Sequence, residues 1–331
     1  MSSLAAASEP KLNGLWRKLR RNSSQEKSLS QIGSSGDLSA DRRYGWGQGA
    51  LAEGDAEAAR DLFAQALELA PEWPAAWFAL AQALECLQRR EEAREAYART
   101  LTLDPGDSQG AALALAKLGG PAPATAPRAY VRTLFDQYAA TFDRHLVEKL
   151  GYRGPQILCE ALERASPGWR FRDVLDLGCG AGLFAAAIAG RAERITGVDL
   201  APAMVEQARA KQLYDRLAVA DIAEFLKGEP EKSADLAAAA DVFVYIGDLG
   251  PVFAEVARVL RASGLFAFTA QSGPDKGFAV GDDLRFSHSE PCLRALAAAH
   301  GFAVVEFFAV STRKDRGADV PGWAAVLRKA W

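Results

Sequence analysis

The stretch Asp-Val-Leu-Asp-Leu-Gly-Cys-Gly-Ala-Gly-Leu-Phe, Asp173 to Phe184, constrains this chain more than any other. Val174, Leu175 and Leu177 read as a buried strand interrupted by one acid, Asp176. Gly178, Gly180 and Gly182 then alternate before an apolar helix pattern resumes. Such a cluster marks a turn where the backbone bends sharply or approaches a ligand closely. A dinucleotide fingerprint needs Gly-x-Gly-x-x-Gly, and its last position is occupied here by Leu183, so the spacing fails for that use.

Strand and helix patterns alternate beyond this turn. Strands are expected over 172–177, 195–199, 217–220, 236–240, 265–270, 302–310 and about 323–327, and helices over 183–189, 202–211, 252–260 and 289–300. This order predicts an α/β fold, a doubly wound and mainly parallel seven-stranded sheet with its ligand at the carboxyl ends of the strands. The last two strands lie too close for a helix between them and should form an antiparallel hairpin.

The N-terminal part is different. Residues 1–38 are Ser-rich and basic, with scattered apolar residues, and are expected to be a disordered tail; its Trp16, Arg17, Lys18, Arg20 and Arg21 read as solvated charge. From residue 39 an Ala-rich helical pattern matches itself at a shift of 34 residues: Gly47 falls on Ala81, Ala59 on Ala93, Phe63 on Tyr97 and Pro71 on Pro105. Small residues at a helix crossing, an aromatic residue four positions on and a closing proline resemble tetratricopeptide (TPR) repeats. Arg43 stands where that family usually has Trp, which repeat two has as Trp77. Residues 39–118 are therefore expected to hold two repeats plus a capping helix from Ser108 to Leu118, an all-α domain short enough to lean on its neighbour. A Pro/Ala linker over 119–127 precedes a last domain over 128–331.

With the strand order in place, the Asp176-x-Gly178-x-Gly180-x-Gly182 loop resembles that of class I methyltransferases dependent on S-adenosylmethionine (SAM). Two segments, Tyr130 to Pro155 and Ala239 to Leu249, are similar to predicted bacterial methyltransferases that carry N-terminal TPR repeats. The resemblance implies SAM as cofactor. Asp176 would reach its ammonium group, the backbone of Gly178, Cys179, Gly180 and Gly182 its amino-acid end, and Asp199 the ribose hydroxyls. Leu200, Met204, Asp221, Ile222 and Ala240 would surround the adenine and the methyl side. Tyr138, Phe142 and Tyr152 would be lid residues, with Arg153 on the SAM carboxylate; Leu134, Tyr138 and Phe142 also recur at the spacing of plain helix core.

Methyl transfer is an in-line displacement, so such an enzyme mainly positions the acceptor and excludes water. Asp241, Tyr245 and His145 are the candidates for catalysis, with Asp248 and His288 behind them. The Ala-Ala-Asp-Val after strand four lacks the Asn/Asp-Pro-Pro-aromatic grip used on planar amino groups, which argues against DNA adenine or glutamine methylation. A net charge of −3 gives no general attraction to nucleic acid or to an anionic membrane. The scattered Cys86, Cys159, Cys179 and Cys292 form no metal-ligand spacing, and with no secretory signal they point to a reducing, cytoplasmic setting. The expected function is methylation of a small molecule, with the repeats as a protein-interaction module. A protein substrate presented by the TPR groove and a non-catalytic SAM-binding adaptor are the alternatives.

Overall fold

The computed structural model describes residues 33–138, 151–315 and 317–330. The chain divides into two compact units, Met1–Pro121 and Ala122–Trp331.

In the first unit, α1 (Leu38–Glu53) and α2 (Ala56–Leu69) form one hairpin, and α3 (Pro74–Cys86) and α4 (Arg90–Leu103) a second. Of the positions matched by the 34-residue shift, Ala59, Phe63, Ala81 and Ala93 have no exposed surface and Tyr97 almost none, whereas Pro71 and Pro105 lie exposed between helices. Trp77 donates its indole N–H to the Pro71 carbonyl at 2.8 Å, whereas Arg43 instead reaches Gln65 on the neighbouring helix. The organised chain begins ahead of residue 39. Asp37 caps α1, and the hydroxyls of Ser34 and Ser35 donate to the carboxylate of the buried Asp41 at 2.6 and 2.7 Å. The capping helix, α5 (Ala111–Lys117), starts later than Ser108, because Asp107, at φ 50°, turns the chain and accepts from the N–H groups of Ala111 and Ala112. Lys117 of α5 pairs with Glu85 of α3 at 2.7 Å, and the same carboxylate accepts from the Tyr97 hydroxyl.

The second unit opens with α6 (Arg128–Tyr138) and α7 (Gly154–Ala165) and continues as β1 (Phe171–Leu177), α8 (Leu183–Ala187), β2 (Ala192–Asp199), α9 (Pro202–Ala210), β3 (Arg216–Val219), α10 (Ile222–Gly228), β4 (Ala234–Ala239), α11 (Gly250–Val259), β5 (Leu260–Gln271), β6 (Phe278–Val280), β7 (Phe286–His288), α12 (Glu290–Ala299), β8 (Phe302–Asp315) and β9 (Ala318–Lys329). Seven strands form one sheet in the order β3-β2-β1-β4-β5-β9-β8. The first five are parallel, and β9 and β8 are antiparallel, as the short connection between them requires. One face is covered by a cluster containing Phe243, Phe253, Phe266 and Phe268, whose rings meet at 5.0–6.4 Å, and the other by Leu158, Leu162, Phe184 and Ile188. The β6–β7 hairpin was not legible as strand, being three residues on each side.

The second half of the expected linker is fixed to this unit. Ala126 N–H donates to Tyr245 O at 2.9 Å, and the N–H groups of Gly247 and Asp248 both donate to Ala124 O at 2.8 Å. Thr125 forms a bridge to Ile246. No helix among the described residues is long and apolar enough to cross a membrane.

Candidate functional site

The strand order reverses beside β1, with β2 on one side and β4 on the other, which opens a crevice at the carboxyl ends of these strands. The residues expected there do converge. Gly178, Gly180 and Gly182 all adopt left-handed backbone, at φ 70°, 51° and 87°. The alternation reflects a loop that folds at every second residue, where side chains are disfavoured. At Gly178 there is a second reason: a Cβ would meet Val242 Cγ2 at 2.5 Å. Gly178 and Cys179 both donate their N–H to Val198 O, which ties the loop to β2. The Cys179 thiol is buried and pushed well above the usual thiol range by that burial.

Two carboxylates bracket the loop. Asp176, with almost no exposed surface, accepts from the Tyr214 hydroxyl at 2.6 Å, and burial raises its pKa to about 7. The Tyr214 bond opposes that rise and the Asp199 charge adds to it. Asp199, at the end of β2, accepts from Gly180 N–H at Oδ2 and from Ala201 N–H at Oδ1, each at 2.9 Å, and burial raises its pKa as well. Each carboxylate oxygen has two lone pairs, so Asp199 shapes the loop and keeps acceptor capacity towards the crevice. Two acids whose carboxylate charge is disfavoured by burial suit a cationic, hydroxyl-bearing ligand.

Other expected contacts fall differently. Asp221 caps α10, with Oδ1 accepting from Ala223 and Glu224, and lies 3.5 Å from Arg128; Ile222 opens the helix behind it. Met204 is wholly enclosed with Ala181 and Ala201, so it backs the glycine loop and has no surface left for an adenine, whereas Leu200 is half-buried. Arg153 is also corrected. It is exposed, its guanidinium lies 3.7 Å from Glu160, and only its backbone N–H is engaged inward, on Thr312 O. Tyr152 donates to the carbonyl of Ala240 at the end of β4, and burial holds its phenol well above the usual range. Tyr138 is the last residue of α6; its side chain, and Phe142 and His145 entirely, lie outside the described residues.

Asp241 sits just beyond β4 in left-handed backbone, φ 61°, an uncommon conformation for a residue with a side chain. Its N–H donates to the buried Thr269 hydroxyl at 2.8 Å, and its carboxylate accepts from Arg313 at 2.9 and 3.0 Å and from Thr312 at 3.2 Å. Arg313 is itself buried and reaches Gln271 at 2.9 Å. This pairing corrects the reading of Asp241 as a base: the carboxylate is the counter-ion of a buried guanidinium. The register of β8 against β9 shifts between Ser311 and Lys314, and this bulge turns Thr312 and Arg313 inwards. Sequence reasoning missed Arg313 because its expected strand ended at residue 310. It also missed Tyr214, in the turn before β3, and Arg285, in the unrecognised hairpin. His288 is fully buried with a ring nitrogen 3.0 Å from Gly247 O, a structural position that burial keeps below the usual imidazole pKa. Asp248 is exposed and holds Gly250 N–H.

Residues 175–268 match the methyltransferase domain family and residues 50–118 a tetratricopeptide repeat family. The C-terminal unit thus carries a methyltransferase domain of the class I, Rossmann-like fold, and the N-terminal unit carries TPR repeats. Among curated proteins, the malonyl-[acyl-carrier protein] O-methyltransferase of Legionella pneumophila is 40% identical over 111 residues, covering 31% of this chain and 37% of that protein. The aklanonic acid methyltransferase DauC of a Streptomyces species is 34% identical over 149 residues, covering 42% and 64%. The chain thus spans less than two thirds of either relative. Among solved structures, the 1,6-didemethyltoxoflavin-N1-methyltransferase of Burkholderia thailandensis aligns over 64% of this chain and 94% of its own, at 23% identity and a TM-score of 0.49.

Proposed function

We propose that this protein is a SAM-dependent methyltransferase acting on a small molecule, with its TPR unit engaging a protein partner. The observation that carries the reading is the left-handed glycine loop held between Asp176 and Asp199 at two adjacent strand ends. The pair fits the ligand chemically. Asp176 would hold the ammonium group, because a buried acid with a raised pKa is stabilised as carboxylate by an adjoining cation. Asp199 would accept from the ribose hydroxyls, the backbone of Gly178 to Gly182 would lie along the amino-acid end, and Leu200 would supply an apolar face. Bound there, SAM supplies a methyl group on a sulfonium sulfur.

The chain's own contribution is to position and to exclude water. Tyr152 and Tyr245 flank the end of β4, and Phe135 of α6 packs edge-on against Tyr245 at 5.4 Å. The two relatives described above are named for a malonyl group on a carrier protein and for aklanonic acid, which supports a small acceptor over a polypeptide segment.

Methyl-labelled SAM incubated with the full chain and a cell extract, later separated into metabolite and protein fractions, tests the reading. Label in the metabolite fraction is expected. Label confined to protein would place the substrate in the TPR groove, and SAM binding without transfer would make the protein an adaptor.

A further inference from the structure

Between Ala124 and Asp136 the chain meets the segments that follow β4, β3 and β2 in turn. Ala124 O accepts from the N–H groups of Gly247 and Asp248, and Ala126 N–H donates to Tyr245 O, all beyond β4. Arg128, next after Pro127, donates from its guanidinium to Glu224 Oε1 at 2.8 Å and lies 3.5 Å from Asp221 Oδ2, beyond β3. Asp136 accepts from Ala203 N–H at 3.2 Å at the start of α9, beyond β2. Arg128 is thus held in place from both directions along the chain.

Helix stability does not account for this arginine. A cation in the first turn of α6 opposes the helix dipole, and with its side chain 55% exposed its ion pairs add little to the fold. Its effect falls on Asp221. That carboxylate follows directly on the crevice, because Ala220 N–H donates to Asp199 O at 3.0 Å and carries the end of β3 along the end of β2. Oδ1 is engaged by the Ala223 and Glu224 N–H groups, and the Arg128 guanidinium faces Oδ2. Contacts on both oxygens fix the plane of the carboxylate, and each oxygen has two lone pairs, so Oδ2 keeps acceptor capacity for a ligand N–H.

Building on the SAM-binding reading, we infer that Arg128 is a positioning residue: it holds Asp221 in the orientation in which Oδ2 accepts from the exocyclic amine of adenine. Recognition of the base is thereby tied to the stretch of chain that follows the TPR unit. Arg128 itself touches no reacting atom.

The test is calorimetric titration of the full chain with S-adenosylhomocysteine and with its analogue that has hydrogen in place of the adenine amine. The wild type is expected to prefer S-adenosylhomocysteine by about tenfold or more, since the analogue lacks a hydrogen bond to a charged acceptor. Arg128→Gln should cut this preference to about threefold or less by weakening S-adenosylhomocysteine alone, because an unrestrained carboxylate has to be ordered on binding. Arg128→Lys should keep an intermediate preference, and the melting temperatures of all three proteins should agree. An unchanged preference in Arg128→Gln, an equal loss of both ligands or a lowered melting temperature would overturn the inference, as would a wild type that binds both ligands equally. Failure of the wild type to bind S-adenosylhomocysteine at all would contradict the methyltransferase reading itself, and the role of Arg128 with it.

Discussion

The hydroxyl of Tyr214 lies 2.6 Å from Oδ2 of Asp176, inside the protein and directly beneath the glycine loop. Burial raises the Asp176 pKa from 3.8 to about 7, so the folded protein prefers this acid protonated. The stability it contributes is fully present below pH 3.8 and is lost as pH rises through about 7. Asp176→Asn, which keeps the shape without the charge, is expected to be more stable than the wild type at pH 8 and to lose most of that advantage by pH 5. Urea unfolding of both proteins at the two pH values checks it; a difference independent of pH would mean that Asp176 is ordinarily ionised.

Ligand binding should run the other way, because an ammonium group beside Asp176 favours the carboxylate. SAM affinity is expected to fall by up to about tenfold per pH unit below 7. Tyr214→Phe removes the bond that opposes the pKa rise, so the fall should begin at higher pH in that variant. Superimposable affinity profiles for the two proteins between pH 5 and 8 would exclude this coupling.

Breaking the Asp241–Arg313 pair should be costly. Removing one partner of a buried, hydrogen-bonded pair leaves the other charge uncompensated, at about 3–5 kcal/mol. Asp241→Ala should therefore lower the melting temperature sharply, and adding Arg313→Met in the same chain should recover part of the loss. A single variant as stable as the wild type would show that the pair is not structural, and would reopen Asp241 as a base.

In the TPR unit, Gly47 is where Phe63 crosses: a Cβ there would meet Phe63 Cε1 at 2.6 Å. Gly47→Val is expected to destabilise that unit by about 1–3 kcal/mol through overpacking. Gly45→Ala, on the same helix with nothing within 4 Å, should instead stabilise it by up to about 1 kcal/mol. Similar effects of the two substitutions would mean that the helices do not cross where the 34-residue repeat puts them.

The parts of the molecule that were legible in sequence are those built by repetition or by local spacing. Alternate glycines after an apolar strand gave the loop, Asp199 followed from the next strand end, and the Gly47–Ala81 and Ala59–Ala93 matches gave the helix crossings. What escaped depends on contacts distant in sequence. Arg313 points inwards only because β8 bulges against β9, and it meets Asp241 across 72 residues. Met204 is placed at the adenine by the resemblance alone, yet packing between Ala181 and Ala201 decides its surroundings. Arg153 was placed by analogy, and the chain direction at the start of α7 turns its side chain towards Glu160.

Asp199 shapes the loop through Gly180 N–H, and its proposed second role is to accept from a ribose diol. Calorimetric titration of SAM into the wild-type chain and into Asp199→Ala tests it most directly. The wild type should bind one SAM per chain. The variant should bind roughly 100-fold more weakly or worse, since each charge-assisted hydrogen bond lost costs about 1.5–3 kcal/mol. Equal affinities in the two proteins, or no binding to the wild type, would contradict it.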